Sequence, residues 1–491
     1  MTLNFNKKNI ITYMPYILVF LGAAIYISLT FNNNVWLDEA FTASLVRTDM
    51  PGVLKRSMND TLPPLYNIIL KISTDLFGYT IPVMKITSTL PMILTLLLGA
   101  IVVRKRFGSL TSCLFIISLI VMPNMLFYGV EIRMYSLGFL FSTASGIYVY
   151  EVIKEPSLKN RILFILFSVA AGYSHHFAFV TVGFVYFFLL LYCFSEQLKY
   201  SKDHQREAHP LIIIDFIKCL AATFILYFPC LVVTLKQFKS VSGYFSMPEI
   251  TPSVFIKYCR YPYTVGFTPL SILLLLTIVG LFINLVLKKG KTVREYFTLY
   301  CFIIYYGVLL FGTCVSKIMT ANIFVDRYLF FSLGTLWLFF AIEASSLKKP
   351  YLYAVILLQI FTGIVSYDQA FKSEYTKGAD EMISWLHENT KEGDILYTLE
   401  DYEELAYCLT FYENRLTNAE TLDEAVKAAQ NSDIWVAVLD GYAKEPDSSH
   451  PRGNAGYAAY VKEIEDKGYS LIPKGDFAFD RYHLKIYLLN K

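Results

Sequence analysis

Apolar stretches of roughly 17 or more residues recur along this 491-residue chain, and no other feature limits its fold as strongly. A helix of about that length crosses the hydrocarbon core of a bilayer. Only 17% of the residues are charged, against about 25% in soluble domains, so there is too little charge to clothe a chain of this size in water. The first apolar run, residues 11–31, has no small-residue cleavage site and reads as a retained helix, not a removed signal peptide.

The charges between the runs orient them. Residues 64–77 are the difficult segment. They number about 14 against the roughly 20 a span needs, and they carry Lys71 and Asp75. Leu65, Ile68, Ile69, Ile72 and Leu76 share one helical face, which fits a helix lying in the membrane interface. With that segment kept out of the bilayer, the spans are 11–31, 81–103, 114–127, 135–153, 162–173, 177–194, 211–235, 270–287, 297–315, 328–344 and 351–367. Every basic cluster then falls on one side: Arg104 to Arg106, Lys154 with Arg161, Lys199 with Arg206, Lys288 with Arg294, and Lys348 with Lys349. By the positive-inside rule that side is cytoplasmic. The reading predicts about eleven spans, interfacial helices in the first outer loop, and an extracytoplasmic C-terminus.

From residue 371 onward there are 23 acidic and 13 basic residues, leaving 17 of the 40 acids and 30 of the 43 bases to the rest. A basic membrane part therefore carries an acidic tail. Helical patterns at 379–387, 421–430 and 455–465 alternate with strand patterns at 394–398, 434–439 and 482–489, which predicts a small α/β domain. The expected domains are 1–370, membrane-embedded, and 371–491, extracytoplasmic. Neither a G-x-G-x-x-G fingerprint nor a P-loop occurs. The eight cysteines form no C-x-x-C, which predicts neither a disulfide framework nor a structural zinc site. The basic loops orient the chain against anionic lipid and are no sign of nucleic acid.

Asp38 and Glu39 follow directly on the first span, on the predicted outer face. Adjacent side chains on a helix point about 100° apart, so the two carboxylates serve different tasks. One can face a cavity as general base while the other holds a neighbouring group or a cation. The plain alternative is a solvated acid pair at an interface. Arg133 and Arg327 stand at predicted outer ends of spans, where they can stabilise a departing phosphate. Their plain alternatives are an ion pair with Glu131 and the anchoring of a helix end. Neutral His175 and His176, at another outer end, can bond a sugar hydroxyl or ligate a metal; ordinary interfacial hydrogen bonding is the plain alternative. Glu131 could join Glu39 as an oxygen ligand, so a divalent cation stays open as a cofactor, without support from spacing.

Trp36-Leu37-Asp38-Glu39-Ala40 after a first span, Pro63-Pro64-Leu65-Tyr66, the run Tyr128 to Tyr135 containing Glu131 and Arg133, His175-His176 and Asp326-Arg327-Tyr328 come in a set order. Together they resemble the GT-C glycosyltransferases, in particular the bacterial branch related to protein O-mannosyltransferases and lipid A aminoarabinose transferases. The likeness covers about residues 10–345. One departure is Leu62, where relatives usually carry His before the paired prolines. The resemblance implies a GT-C fold and a polyprenyl-phosphate-linked sugar as donor. It also implies a glycan, lipid or protein acceptor outside the cytoplasm, with Asp38 as the catalytic carboxylate. Tyr66, Glu131, Tyr135, His175 and His176 are then substrate-binding, and Arg133 and Arg327 hold the donor phosphate. A transporter or flippase fits less well, because few ionisable residues lie within the spans. A polysaccharide polymerase or ligase is the other alternative; the acids of this chain lie in the first outer loop, which favours the transferase.

Overall fold

The computed structural model describes residues 7–202, 211–244, 249–319, 322–375, 377–398, 403–419, 421–429, 432–442, 461–462, 464–479 and 482–490. Contacts divide the chain into two units: Met1–Thr30 with Asp49–Ala370, and Phe31–Thr48 with Phe371–Lys491. The segment Phe31–Thr48, expected to belong to the membrane part, thus groups with the C-terminal region.

The first unit is helical. Eight of its helices are long and apolar enough to cross a membrane: Ile81–Phe107, Tyr135–Lys154, His176–Lys199, Ile213–Gln237, Thr268–Leu287, Val293–Ile318, Asp326–Ala344 and Lys349–Glu374. Of the other three expected spans, that at 11–31 coincides with the helix Lys7–Ser28, and two fall on shorter helices, Ser109–Val121 and Leu158–Ser174. Length and hydropathy pick out eight of the eleven expected spans among the described residues. The run at 114–127 is not among them because it is broken. Met122 takes an extended conformation before Pro123, as a residue preceding proline does. Asn124 then adopts φ 68°, which its short polar side chain tolerates, before a new helix, Met125–Val130.

Tyr135–Lys154 and Asp326–Ala344 are the core of the bundle, each 89% buried along its apolar window. Small residues let them approach, because association inside lipid depends on close packing. Gly138 faces the Phe331 ring and Gly146 faces Thr335. The Ser142 hydroxyl donates to the Phe331 carbonyl at 2.7 Å, and Ser145 meets Ser168 at 2.9 Å. The outer helices instead show their apolar side chains; Ile272, Leu273 and Leu276 are examples.

The expected interfacial helix is present as Leu65–Phe77, with Lys71 paired to Asp75 at 2.5 Å. Its packed face is not the apolar one. Tyr66, Asn67, Leu70 and Thr74 are buried, while Ile72, Leu76 and Phe77 are exposed. The Asn67 amide donates to Ser57 at 2.9 Å and the Tyr66 hydroxyl meets Ser88 at 2.5 Å. A helix resting on lipid turns its apolar side outward and bonds its polar side to the protein.

The second unit contains strands β1 (Ile395–Thr398), β2 (Thr417–Ala419), β3 (Ile434–Tyr442), β4 (Ser470–Phe479) and β5 (Tyr482–Asn490), in the order β2-β1-β3-β5-β4. The first three pair in parallel; β5 is antiparallel to β3 and β4. Ile395, Tyr397, Val436, Val438, Leu422 and Ile464 share its core. Thr421 caps Leu422–Ala428, as its sequence predicts, accepting from the Glu424 amide at 3.1 Å. The sequence reading missed β2, β4 and the helix Glu403–Tyr412. Pro473 and Gly475 read as a turn, yet they sit at an irregularity in an edge strand, where proline is tolerated. Most of the helix expected over 455–465 lies outside the described residues.

Candidate active site

The acid pair lies in the second unit, on the helix Leu37–Leu45. Glu39 is buried, and its carboxylate accepts the Trp36 backbone N–H at 3.1 Å, closing the first turn by reaching back to the residue before the helix. Asp38, one residue earlier, is partly exposed. Glu39 thus closes the helix start, and Asp38 is the more accessible of the two carboxylates.

In the first unit, three segments distant in sequence come together. Glu131 and Arg133 occupy the short bent link between Met125–Val130 and the helix that begins at Tyr135. Glu131 and Tyr135 are buried. His175 sits at the break between the helices Leu158–Ser174 and His176–Lys202, with an extended backbone. Arg327 is the second residue of the short turn Asp326–Leu329 that leads into the helix Phe330–Ala344. The His175 ring lies 4.8 Å from Tyr328, 4.4 Å from Phe331 and 6.5 Å from Tyr135.

His175 is the informative member. Its Nδ1 accepts the Phe177 backbone N–H at 3.0 Å, which puts the ring proton of the neutral form on Nε2. Among the described residues Nε2 meets no hydrogen-bond partner, although the side chain is 1% exposed. Burial holds the His175 pKa well below the usual imidazole range, and the charges of His176, Arg133 and Arg327 push the same way. The result is a fixed neutral N–H donor beside two guanidinium groups, an arrangement suited to an anion.

The remaining expected residues have other partners. His176 Nε2 meets the Thr61 carbonyl at 3.2 Å, and Gln237 donates to the Leu62 carbonyl at 2.9 Å. These bonds fix the segment leading to Pro63-Pro64. Tyr66 is buried against Ser88, which gives it a packing contact in the protein. Among the described residues no three His, Cys, Asp or Glu side chains converge to hold a metal ion.

A cavity of about 1010 Å³ also lies in the first unit, lined almost wholly by apolar side chains of the segments 69–77, 83–102, 137–148 and Phe167. Its lining from Val83 to Val102 covers a helix rise of roughly 28 Å, close to the hydrocarbon thickness of a bilayer. The sequence reading did not foresee it, because a cavity between helices leaves no local pattern.

No protein-family model and no curated protein matches the chain. Solved structures do. The crystal structure of ArnT from Cupriavidus metallidurans in the apo state aligns with a TM-score of 0.59 at 10% identity, over 96% of this chain and 97% of that one. The same protein bound to undecaprenyl phosphate aligns with a TM-score of 0.58 at 11% identity, over the same shares. The arabinofuranosyltransferase AftD from Mycobacteria aligns with a TM-score of 0.51 at 13% identity, over 96% of this chain and 40% of that one. The fold is the GT-C fold of membrane glycosyltransferases.

Proposed function

We propose that this chain transfers a sugar from a polyprenyl-phosphate carrier to an acceptor outside the cytoplasm. The observation that carries the reading is the grouping of Arg133, Arg327 and the neutral N–H of His175 in the first unit. It is supported by a fold shared with a protein crystallised with undecaprenyl phosphate. The long apolar cavity matches the prenyl chain such a carrier would bring.

In the proposed reaction the acceptor hydroxyl oxygen bonds to the anomeric carbon of the sugar. The bond from that carbon to the phosphate oxygen breaks, and its electron pair leaves with the phosphate. The Asp38 carboxylate takes the acceptor proton. A phosphate leaves readily, so no protein group has to protonate it. Negative charge grows on its oxygens, and Arg133, Arg327 and His175 stabilise that charge. A single displacement inverts the anomeric centre. Isolated membranes supplied with labelled polyprenyl-phosphate sugars test the reading: one label should move into an envelope fraction, and the sugar that moves identifies the donor.

The proposal requires the acids and the C-terminal region to be extracytoplasmic, as the basic clusters imply. An alkaline phosphatase reporter fused after Ser373 is expected to be active, and one fused after Arg106 inactive. The reverse pattern would remove the topology and the proposed acceptor with it.

A further inference from the structure

Within the second unit, the helix that bears Asp38 packs on the helix Glu403–Tyr412 of the C-terminal region. The chain entering that helix is held by hydrogen bonds from the same region. The Tyr412 hydroxyl accepts the Val35 backbone N–H at 2.6 Å, and its own proton lies between the carbonyls of Asn33 at 2.8 Å and Val35 at 3.2 Å. The Asn34 side chain donates to the Ser373 carbonyl at 2.8 Å, and the Asn32 side chain donates to Glu374 at 3.2 Å. The Cys408 thiol lies 3.5 Å from the Val35 carbonyl. Val35, Leu37, Ala40, Ala43 and Leu45 are all buried.

These contacts have a common direction. They hold residues 32–35, three to six positions before Asp38, from partners more than 330 positions away in the chain. A nine-residue helix is too short to be stable alone, so its place depends on what it packs against. Trp36 and Leu37 leave little slack between the held segment and the carboxylate.

We infer that the C-terminal region serves as the mount for the acid-bearing helix, with Tyr412 as the positioning residue that sets where the Asp38 carboxylate stands. The inference rests on the proposed role of Asp38 for its kinetic consequence, but its structural half stands on its own. Displacing a catalytic group by about 1 Å can cost on the order of 10²-fold in rate, so a mount of this kind acts on turnover and not on donor binding.

The test uses full-length protein in lipid nanodiscs. Tyr412→Phe keeps the ring and removes all three hydroxyl contacts; Asn34→Ala removes a second, independent tie. Two readouts are taken: amide hydrogen exchange over residues 37–45, and single-turnover sugar transfer beside affinity for undecaprenyl phosphate. In both variants we expect exchange in that helix to rise roughly tenfold or more, transfer to fall roughly tenfold, and lipid-phosphate affinity to stay within about twofold. Unchanged exchange in both variants would overturn the mount. A loosened helix with normal transfer, while Asp38→Asn is inactive, would overturn the positioning role and leave the proposed function standing. Normal transfer by Asp38→Asn would instead remove the role of Asp38 itself.

Discussion

Asp38→Asn is expected to lower single-turnover sugar transfer by about 10²–10⁴-fold, the usual cost of losing a general base. The amide keeps the shape of the carboxylate and cannot take the acceptor proton. Affinity for the lipid-phosphate donor should change little, because the groups proposed to hold the phosphate are Arg133, Arg327 and His175. Asp38→Glu probes geometry separately: the extra methylene moves the carboxylate by about 1 Å, enough to cost on the order of 10²-fold. Glu39→Gln is expected to act differently. Its carboxylate accepts the Trp36 N–H at the helix start, so its loss should loosen the first turn. Near-normal transfer by well-folded Asp38→Asn protein would move the base elsewhere.

Arg327→Ala is expected to weaken binding of undecaprenyl phosphate by about 10- to 100-fold, in line with the loss of one charge-assisted hydrogen bond to a buried anion. Turnover should fall as well, since the same guanidinium meets more charge as the phosphate departs. His175→Asn supplies the internal comparison. An asparagine oxygen can still accept the Phe177 N–H, but nothing replaces the Nε2–H, so donor affinity should fall while the local backbone stays in place. Isothermal titration or tryptophan quenching with undecaprenyl phosphate measures both. Wild-type affinity in both variants would break the link between this cluster and phosphate.

Much of this was legible in the sequence. The eight long spans announce themselves through hydropathy, and Arg133, Arg327 and the His175-His176 pair stand out as polar groups at the ends of apolar runs. The interfacial helix was legible in its existence, and the bonds of its polar face were not. A hydrophobic stripe looks the same whether it packs on protein or rests on lipid; only the bonds of Tyr66 and Asn67 decide it. The break at Met122 and Asn124 was marked by Pro123, yet the apolar run around it hid the signal.

The site was harder to read than the fold. Nothing in the doublet says that His176 bonds the Thr61 carbonyl while His175 keeps a bare buried nitrogen; that depends on a contact two residues on, to the Phe177 amide. The capping role of Glu39 was missed because Trp36, not serine or threonine, precedes the helix. The union of Phe31–Thr48 with the C-terminal region could not be read at all. It is made by the packing of two short helices, a tyrosine hydroxyl and two asparagine side chains, whose partners lie more than 330 positions apart and leave no local pattern.

The most direct measurement of the central claim is a transfer assay with a doubly labelled donor. Purified protein in nanodiscs receives a polyprenyl-phosphate sugar carrying one label on the sugar and another on the lipid, together with an envelope fraction as acceptor. The account predicts that sugar label enters the acceptor while an equal amount of lipid label is released as polyprenyl phosphate, with Asp38→Asn slower by about 10²–10⁴-fold. Movement of the intact lipid-linked sugar across the bilayer with no transfer, or transfer from none of the lipid-linked sugars offered, would contradict it.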